Sequence, residues 1–586
     1  MGGGKKSVCV FALVVFLLGV LPFVRTADYG LVNCDDYEYV TVENAPLVAG
    51  GVSWAGVKYA ARDLSHGIWM PLTWASYMVD FSLFGGRPGA MHLHSVVLHG
   101  VNSALVFLLL WLMMRGRVGA LFWGALCAVL WSIHPLRVES VAWVASRKDV
   151  LSFLFELLAL ICWVRGNGGP GTRRFAAASL GFFVLATMAK PSAMTFPLLA
   201  LVLDWLHGVR RTEAKKVMLA VGGAWGIGIA VLAAYAQKVG GATTASADIP
   251  LWWKCANACA AFGMYLKNTV WPIDLAPQCL RRWPDMPRFW WQGVVLSGLA
   301  ALCVLKWAVP VWRHREDACG GWPAGAWRWA TAGLLWFIVA WGPMSGVSGF
   351  GLHAFADRFT YIPAFGISLA LAGAGCAIGR CSAAMRRVVS GVGVLGCIAL
   401  GCATWRQVGF WQGEEALWSH TLEVDGEQNA YALRSLATYY FENGHDVRKV
   451  NDLLGRALES CEDAVGPAVL LYVVSLCEDR RSDEAIKVLS RLRKWHDRQE
   501  RKSGQWNVAK AVWMATQGNM KSISLEILDS AEKGRPDLGM LLYLRGLFAR
   551  WRGDEAEAKR YWRRLLEHGH GDPFLKFSFV KEWVAE

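Results

Sequence analysis

Long apolar runs separated by short polar stretches recur from the amino terminus to about residue 405 and then stop. An α-helix needs roughly 20 apolar residues to cross a ~30 Å hydrocarbon core. The runs Ser7–Val24, His94–Met114, Val118–Ile133, Val150–Val164, Phe175–Ala189, Val217–Ala236, Trp291–Val311, Trp327–Trp341, Phe359–Ala377 and Val388–Thr404, with one more leading to Arg210, predict about eleven transmembrane helices. In Gln237–Arg288 the aromatics Trp252, Trp253, Tyr265 and Trp271 interleave with Lys, which predicts a helix lying at the membrane interface. Beyond residue 405 the pattern is charged and helix-forming. Turn signals there (Asn443–Gly444, Ser482–Asp483, Gly518–Asn519, Gly553–Asp554) recur about every 35–38 residues, near the ~34-residue period of tetratricopeptide helix pairs. The chain therefore reads as all-α. Residues 1–405 form a polytopic membrane domain with a first extracytoplasmic loop at about 25–93, and residues 406–586 form an extracytoplasmic tetratricopeptide-like α-solenoid.

Composition agrees with this division. Of the 586 residues 54% are hydrophobic, only 18% are charged and 32 are Trp, and the mean hydropathy is +0.30. A soluble chain of this length carries more charge. The net charge of +14 would form one basic face in a nucleic-acid reader. Here Arg115, Arg117, Arg165, Arg173, Arg174, Arg210, Arg211, Lys215 and Lys216 fall in short connections, where the positive-inside rule puts them, so nucleic acid is not an expected partner. Leu21–Arg25 lacks a small-residue cleavage site, so the first span is expected to stay as an uncleaved anchor. Cys34, Cys255 and Cys279 are the extracytoplasmic cysteines able to pair in an oxidising compartment.

Following the basic residues through the spans puts Asp35–Asp36, His134–Asp149, Lys190 and His353–Tyr361 on the extracytoplasmic face. The positive-inside rule does not account for Arg147, Lys148, Lys190 and Arg358 there, and cations in short loops beside the bilayer point to an anionic ligand. Asp35–Asp36 suits a general base, a metal ligand or a surface turn. His134 suits a donor to the phosphate, a group that orients Glu139, or a structural cap at the end of a span. Asp149 reads as a helix N-cap, and Asp357 as an ion partner of Arg358. His92, His94 and His99 have no carboxylate beside them in sequence and make a weak metal site.

Five strings carry a resemblance: Asn33–Tyr37, Trp69–Trp74 (WMPLTW), HPLRVESVAWVASRKDVLS from His134 to Ser152, MAKPSAMTFP from Met188 to Pro197, and ADRFTYIP from Ala356 to Pro363. Together they resemble the tetratricopeptide-repeat-containing transmembrane O-mannosyltransferases and their bacterial relatives, over residues 7–405. The resemblance implies a GT-C glycosyltransferase with a polyprenyl-phosphate-linked sugar as donor, mannose being the family's sugar, and hydroxyls of exported proteins as acceptors. It implies an acidic residue of the first outer loop as general base, a place held by Asp35 and Asp36, of which Asp36 is favoured. Met70 stands where the family more often has His or Arg, so no donor-binding role carries over to it. The short tail is like that of bacterial members, which implies a bacterial cytoplasmic membrane, with the endoplasmic reticulum as the alternative.

The chemistry fits those residues. A positioned carboxylate that takes the acceptor proton contributes ~10²–10⁴-fold. Fixed cations (Arg147, Lys148, Lys190, Arg358) stabilise the leaving phosphate, with His134, Glu139, Asp357 and Tyr361 in support. A monophosphate donor leaves no obligatory metal or other cofactor to expect, although adjacent carboxylates are able to hold a divalent cation. Membrane lipids and a protein held in the groove of the repeats complete the expected partners. Two other readings remain: a lipid or solute transporter, which calls for ionisable groups deep in the spans where Glu156 is the main one, and a non-catalytic scaffold that presents the repeats.

Overall fold

The computed structural model describes most of residues 2–498 and 538–568. Residues 41–44, 168–170, 241–248, 281–290, most of 301–321, 348–352, 499–537, 569–586 and a few single positions lie outside the description. Regular structure among the described residues is helical, apart from one short antiparallel pairing of Cys279–Leu280 with His353–Phe355. The chain divides into two compact units. One comprises Met1–Gly30 and Gly50–Gln412; the other comprises Leu31–Ala49 and Gly413–Glu586.

In the first unit every expected span has a helix except Trp291–Val311, most of which lies outside the described residues. Four of the described helices (Lys6–Asp28, Pro88–Met114, Glu213–Val239 and Ala383–Gly409) are long and apolar enough to cross a membrane, and Ala120–Ser132 with Pro135–Ala142 reach that length and apolarity only together, with a bend of 60° between them. These apolar helices make the chain a multi-pass membrane protein. The others are shorter. Trp322–Trp341 and Phe365–Ile378 cross so closely that a Cβ on Gly333 would lie 2.2 Å from the Gly366 carbonyl. Only glycine permits that approach, the small-residue contact common between membrane helices. The stretch expected to lie at the interface holds the 20-residue helix Leu251–Val270, whose Phe262 and Tyr265 pack against Phe337 and Trp341. The expected first outer loop is itself structured, with helices Trp54–Arg62 and Pro71–Phe84.

The second unit is built of helix pairs, Ala430–Asn443 with Val447–Ser460, Val469–Glu478 with Ser482–Arg498, and Leu538–Trp551 with Glu555–His568, and the signals at Ser482 and Gly553 fall where these helices are bounded. Gly444 and the Gly518–Asn519 turn lie outside the described residues. Val450, Leu453, Leu454, Ala457 and Leu458 recur at helical spacing and form the buried stripe of their helix. The Asp446 side chain caps that helix by accepting from the Lys449 N–H at 3.1 Å. Trp562 is fully buried, and its indole N–H donates to the Tyr543 carbonyl at 3.2 Å. Its ring occupies the space beside Gly546, where a Cβ would lie 2.0 Å from it.

Candidate functional site

The Asp35–Asp36 turn belongs to the second unit. Neighbouring side chains tie it to the first helices of that unit. The Trp418 indole donates to Asn33 Oδ1 at 2.6 Å, Asn33 Nδ2 donates to the Ser435 carbonyl at 3.0 Å, and the Tyr37 hydroxyl donates to Glu414 Oε1 at 2.9 Å. Burial, then the Glu414 carboxylate, pushes the Tyr37 phenol well above its usual range, which holds it as a donor. Cys34 is buried and accepts a weak hydrogen bond from the Tyr431 hydroxyl at 3.7 Å.

Within this turn the two carboxylates differ. Asp36 is fully buried, opens the short helix Asp36–Val40 and accepts the Val32 N–H on Oδ2 at 3.1 Å. Asp35 is half-buried and its backbone is left-handed, with φ +58°. A non-glycine residue adopts that conformation at a cost and typically only where its surroundings enforce it, as at functional turns.

The cations expected to bind phosphate lie in the first unit, at the ends of several helices, and each engages a partner there. Arg147 opens the helix Arg147–Arg165 and pairs with Asp80 of Pro71–Phe84 at 2.5 Å, both side chains fully buried. Its guanidinium also donates to Ser95 Oγ at 3.1 Å and the Met91 carbonyl at 2.8 Å, and it lies over the Tyr77 ring at 4.7 Å. His94 binds the other Asp80 oxygen through Nδ1 at 2.6 Å. Asp149, in the first turn of the Arg147–Arg165 helix, pairs with Lys190 at 2.5 Å. Lys148 donates to the Ala145 carbonyl at 3.0 Å. Arg358 pairs with Glu139 through both its guanidinium and its backbone N–H, the latter at 2.8 Å, and stacks over Trp143 and Phe359.

The supporting residues sit in the same network. His134 accepts from the Leu136 N–H on Nδ1 at 3.2 Å and donates from Nε2 to the Thr269 carbonyl at 3.0 Å, the arrangement of a helix cap. The ion partner of Arg358 is Glu139, while Asp357 is hydrogen-bonded to Asn268. Burial, then the Glu139 charge, holds the Asp357 carboxyl well above the usual carboxylate range. The Tyr361 hydroxyl bonds His99 Nδ1 at 2.7 Å and receives Asn102 Nδ2 at 3.2 Å. His92 and His99 bond backbone carbonyls, of Gly30 and Ser132. Among the described residues no group of three His, Cys, Asp or Glu side chains converges as a metal cradle. The sequence reading passed over Asp80 and Arg137. Asp80 is the single acid in Pro71–Phe84, and Arg137 lies two residues before Glu139 in the longest motif. Both signals were present in the residue pattern.

No protein-family profile matches the chain. Over 155 residues it is 34% identical to the protein O-mannosyl-transferase Tmtc1 of Drosophila melanogaster, a stretch covering 26% of this chain and 17% of that protein. Over 120 residues it is 30% identical to the protein O-mannosyl-transferase TMTC2 of Mus musculus, covering 20% and 14%. The matches thus span less than a fifth of these curated relatives' length. Among solved structures, ArnT from Cupriavidus metallidurans bound to undecaprenyl phosphate aligns over 80% of this chain and 81% of its own, with 14% identity and a TM-score of 0.34. The resemblance expected from the motif strings is the one these sequence relatives carry.

Proposed function

We propose that the chain is a GT-C-class membrane glycosyltransferase that moves a sugar, mannose, from a polyprenyl-phosphate donor to hydroxyls of exported proteins on the extracytoplasmic side of a bacterial cytoplasmic membrane. The names of the sequence relatives supply the reaction class. The observation that carries the catalytic assignment is the split between adjacent carboxylates: Asp36 holds the turn through Val32 N–H, and Asp35 is presented, half-exposed, on a left-handed backbone.

Asp35 is accordingly the general base and Asp36 its positioning residue, the reverse of the order favoured from sequence. In the transfer, Asp35 takes the acceptor O–H proton as the oxygen attacks the anomeric carbon. The bond from that carbon to the phosphate oxygen breaks, and the lipid phosphate leaves with the electron pair. The helix pairs of the second unit, which also contains the Asp turn, are proposed to hold the acceptor polypeptide.

Membranes containing the protein, a radiolabelled polyprenyl-phosphate mannose and an extract of exported proteins test the reading. Asp35→Asn should lose ~10²–10⁴-fold of transfer, and Asp36→Asn should lose less. Wild-type rates in Asp35→Asn would refute the assignment.

A further inference from the structure

The Asp35–Asp36 turn is too short to hold its own conformation. The helix that follows Asp35 spans only Asp36–Val40, and helices below ~12–15 residues are marginal in water by themselves. Inside the turn the Cys34 N–H bonds the Val32 carbonyl and the Asp36 N–H bonds the Cys34 carbonyl, both at 2.7 Å. Asp35 nonetheless keeps a left-handed backbone at φ +58°. Such strain persists where the surroundings over-determine it.

Those surroundings are two helices of the second unit, Glu414–Asp425 and Ala430–Asn443. Asn33, two residues before Asp35, bridges them. Its Oδ1 accepts the Trp418 indole N–H at 2.6 Å, and its Nδ2 donates to the Ser435 carbonyl at 3.0 Å, so both ends of the amide are engaged. Trp418 and Ser435 are buried, and a buried donor or acceptor that loses its partner is left stranded rather than rehydrated. The Trp418 ring packs on Tyr431 with centroids 5.5 Å apart, and Tyr431 reaches Cys34. On the other side of the two carboxylates Tyr37 bonds Glu414. The repeat helices thus grip the turn both before and after Asp35. A general base must hold its oxygen within hydrogen-bond reach of the proton it takes, and a displacement of about 1 Å can cost ~10²-fold in rate.

We propose that Asn33 and Trp418 are positioning residues for the transfer: Trp418 and the Ser435 carbonyl lock the Asn33 amide, and the locked amide fixes the turn that presents Asp35. The helices Glu414–Asp425 and Ala430–Asn443 then set the rate of the reaction as well as belonging to the unit that holds the acceptor. The inference rests on the reading of Asp35 as the base.

Trp418→Phe keeps a ring against Tyr431 and removes the donor; Asn33→Ala removes both bonds. Full-length variants are compared in membranes with radiolabelled polyprenyl-phosphate mannose and the extract of exported proteins, with rates normalised to folded protein. At saturating donor Trp418→Phe should lower the rate about 3–10-fold, the range of one lost hydrogen bond, and Asn33→Ala about 10–100-fold, each with the KM for the donor unchanged. A purely structural role would reduce the amount of folded protein and leave the rate of what remains. In an Asp35→Asn background Asn33→Ala should cost no more than about 2-fold further, because its effect passes through Asp35. Amide exchange at residues 32–40 should speed in Trp418→Phe while Leu538–Trp551 exchanges as in wild type.

A wild-type rate in Asn33→Ala beside a slow Asp35→Asn overturns the positioning role alone, and so does a full-sized further loss in the double variant or unchanged exchange at residues 32–40. A wild-type rate in Asp35→Asn overturns the base reading and this inference with it.

Discussion

Asp80 and Arg147 meet at 2.5 Å with both side chains fully buried; Asp452 and Arg456 face each other at 3.7 Å with 67% and 40% of their side chains exposed. Other pairs of the two units repeat the contrast. In the membrane unit Asp149–Lys190 and Glu139–Arg358 are also buried pairs. In the repeat unit Glu462–Arg491 and Glu484–Arg481 are exposed ones. Charges removed from water must find a partner, and that partner then becomes hard to remove. Charges left in water have little effect on stability whether paired or not. The buried pairs Asp80–Arg147, Asp149–Lys190 and Glu139–Arg358 therefore hold helices together from inside, whereas Asp452–Arg456, Glu462–Arg491 and Glu484–Arg481 keep a helical surface solvated.

The largest expected effect that tests this contrast is Asp80→Ala. It strands Arg147 and should destabilise the purified protein by about 3–5 kcal/mol, read as a loss of thermal stability in detergent. Replacing both partners, Asp80→Leu with Arg147→Met, should recover most of that loss; a double variant as unstable as the single one breaks the argument. Next comes Gly546→Ala. The added methyl collides with the Trp562 ring and should cost about 1–3 kcal/mol, with faster hydrogen exchange confined to Leu538–Trp551 and Glu555–His568.

Tyr37→Phe removes the donor to Glu414 and should cost about 1.5–3 kcal/mol or less, because the acceptor is a carboxylate. Its exchange signature should fall on Leu31–Ala49 and Glu414–Asp425. The smallest effect belongs to the exposed pair Arg481–Glu484, where Arg481→Ala should cost about 0.2–1 kcal/mol and lose that difference in high salt. Hydrogen bonding from Arg481 holds the Glu484 carboxyl below its ordinary value. The folded pKa is the lower one, so this small contribution is present above the unfolded pKa and disappears as pH falls through the folded one. A loss above 2 kcal/mol at Arg481 would contradict the division between units.

The periodicity of apolar runs carried most of the fold. Helices stand at Pro88–Met114, Glu213–Val239 and Ala383–Gly409 because nothing else satisfies a backbone in hydrocarbon, and the turns at Ser482 and Gly553 follow from local turn chemistry. The site was legible only as a set of residue types. Arg147, Lys190 and Arg358 were found as unusual cations, but their partners Asp80, Asp149 and Glu139 are reached only by folding, from 67, 41 and 219 residues away. Arg358 beside Asp357 shows the limit of reading neighbours, since its carboxylate comes from across the bundle.

Hydropathy and residue spacing, which act over one or two helical turns, determined by themselves that this chain has a helical membrane part, a helical-repeat part and a reserve of charges at helix ends. Only the tertiary structure decided which charges are met and which is left over. It tied Asp36 into a turn and left Asp35 presented. It paired three cations and buried Arg137 with, among the described residues, no carboxylate within ion-pair distance. The reason is physical: the energy of a buried charge depends on distances of a few ångströms to groups hundreds of residues apart, which no local pattern encodes.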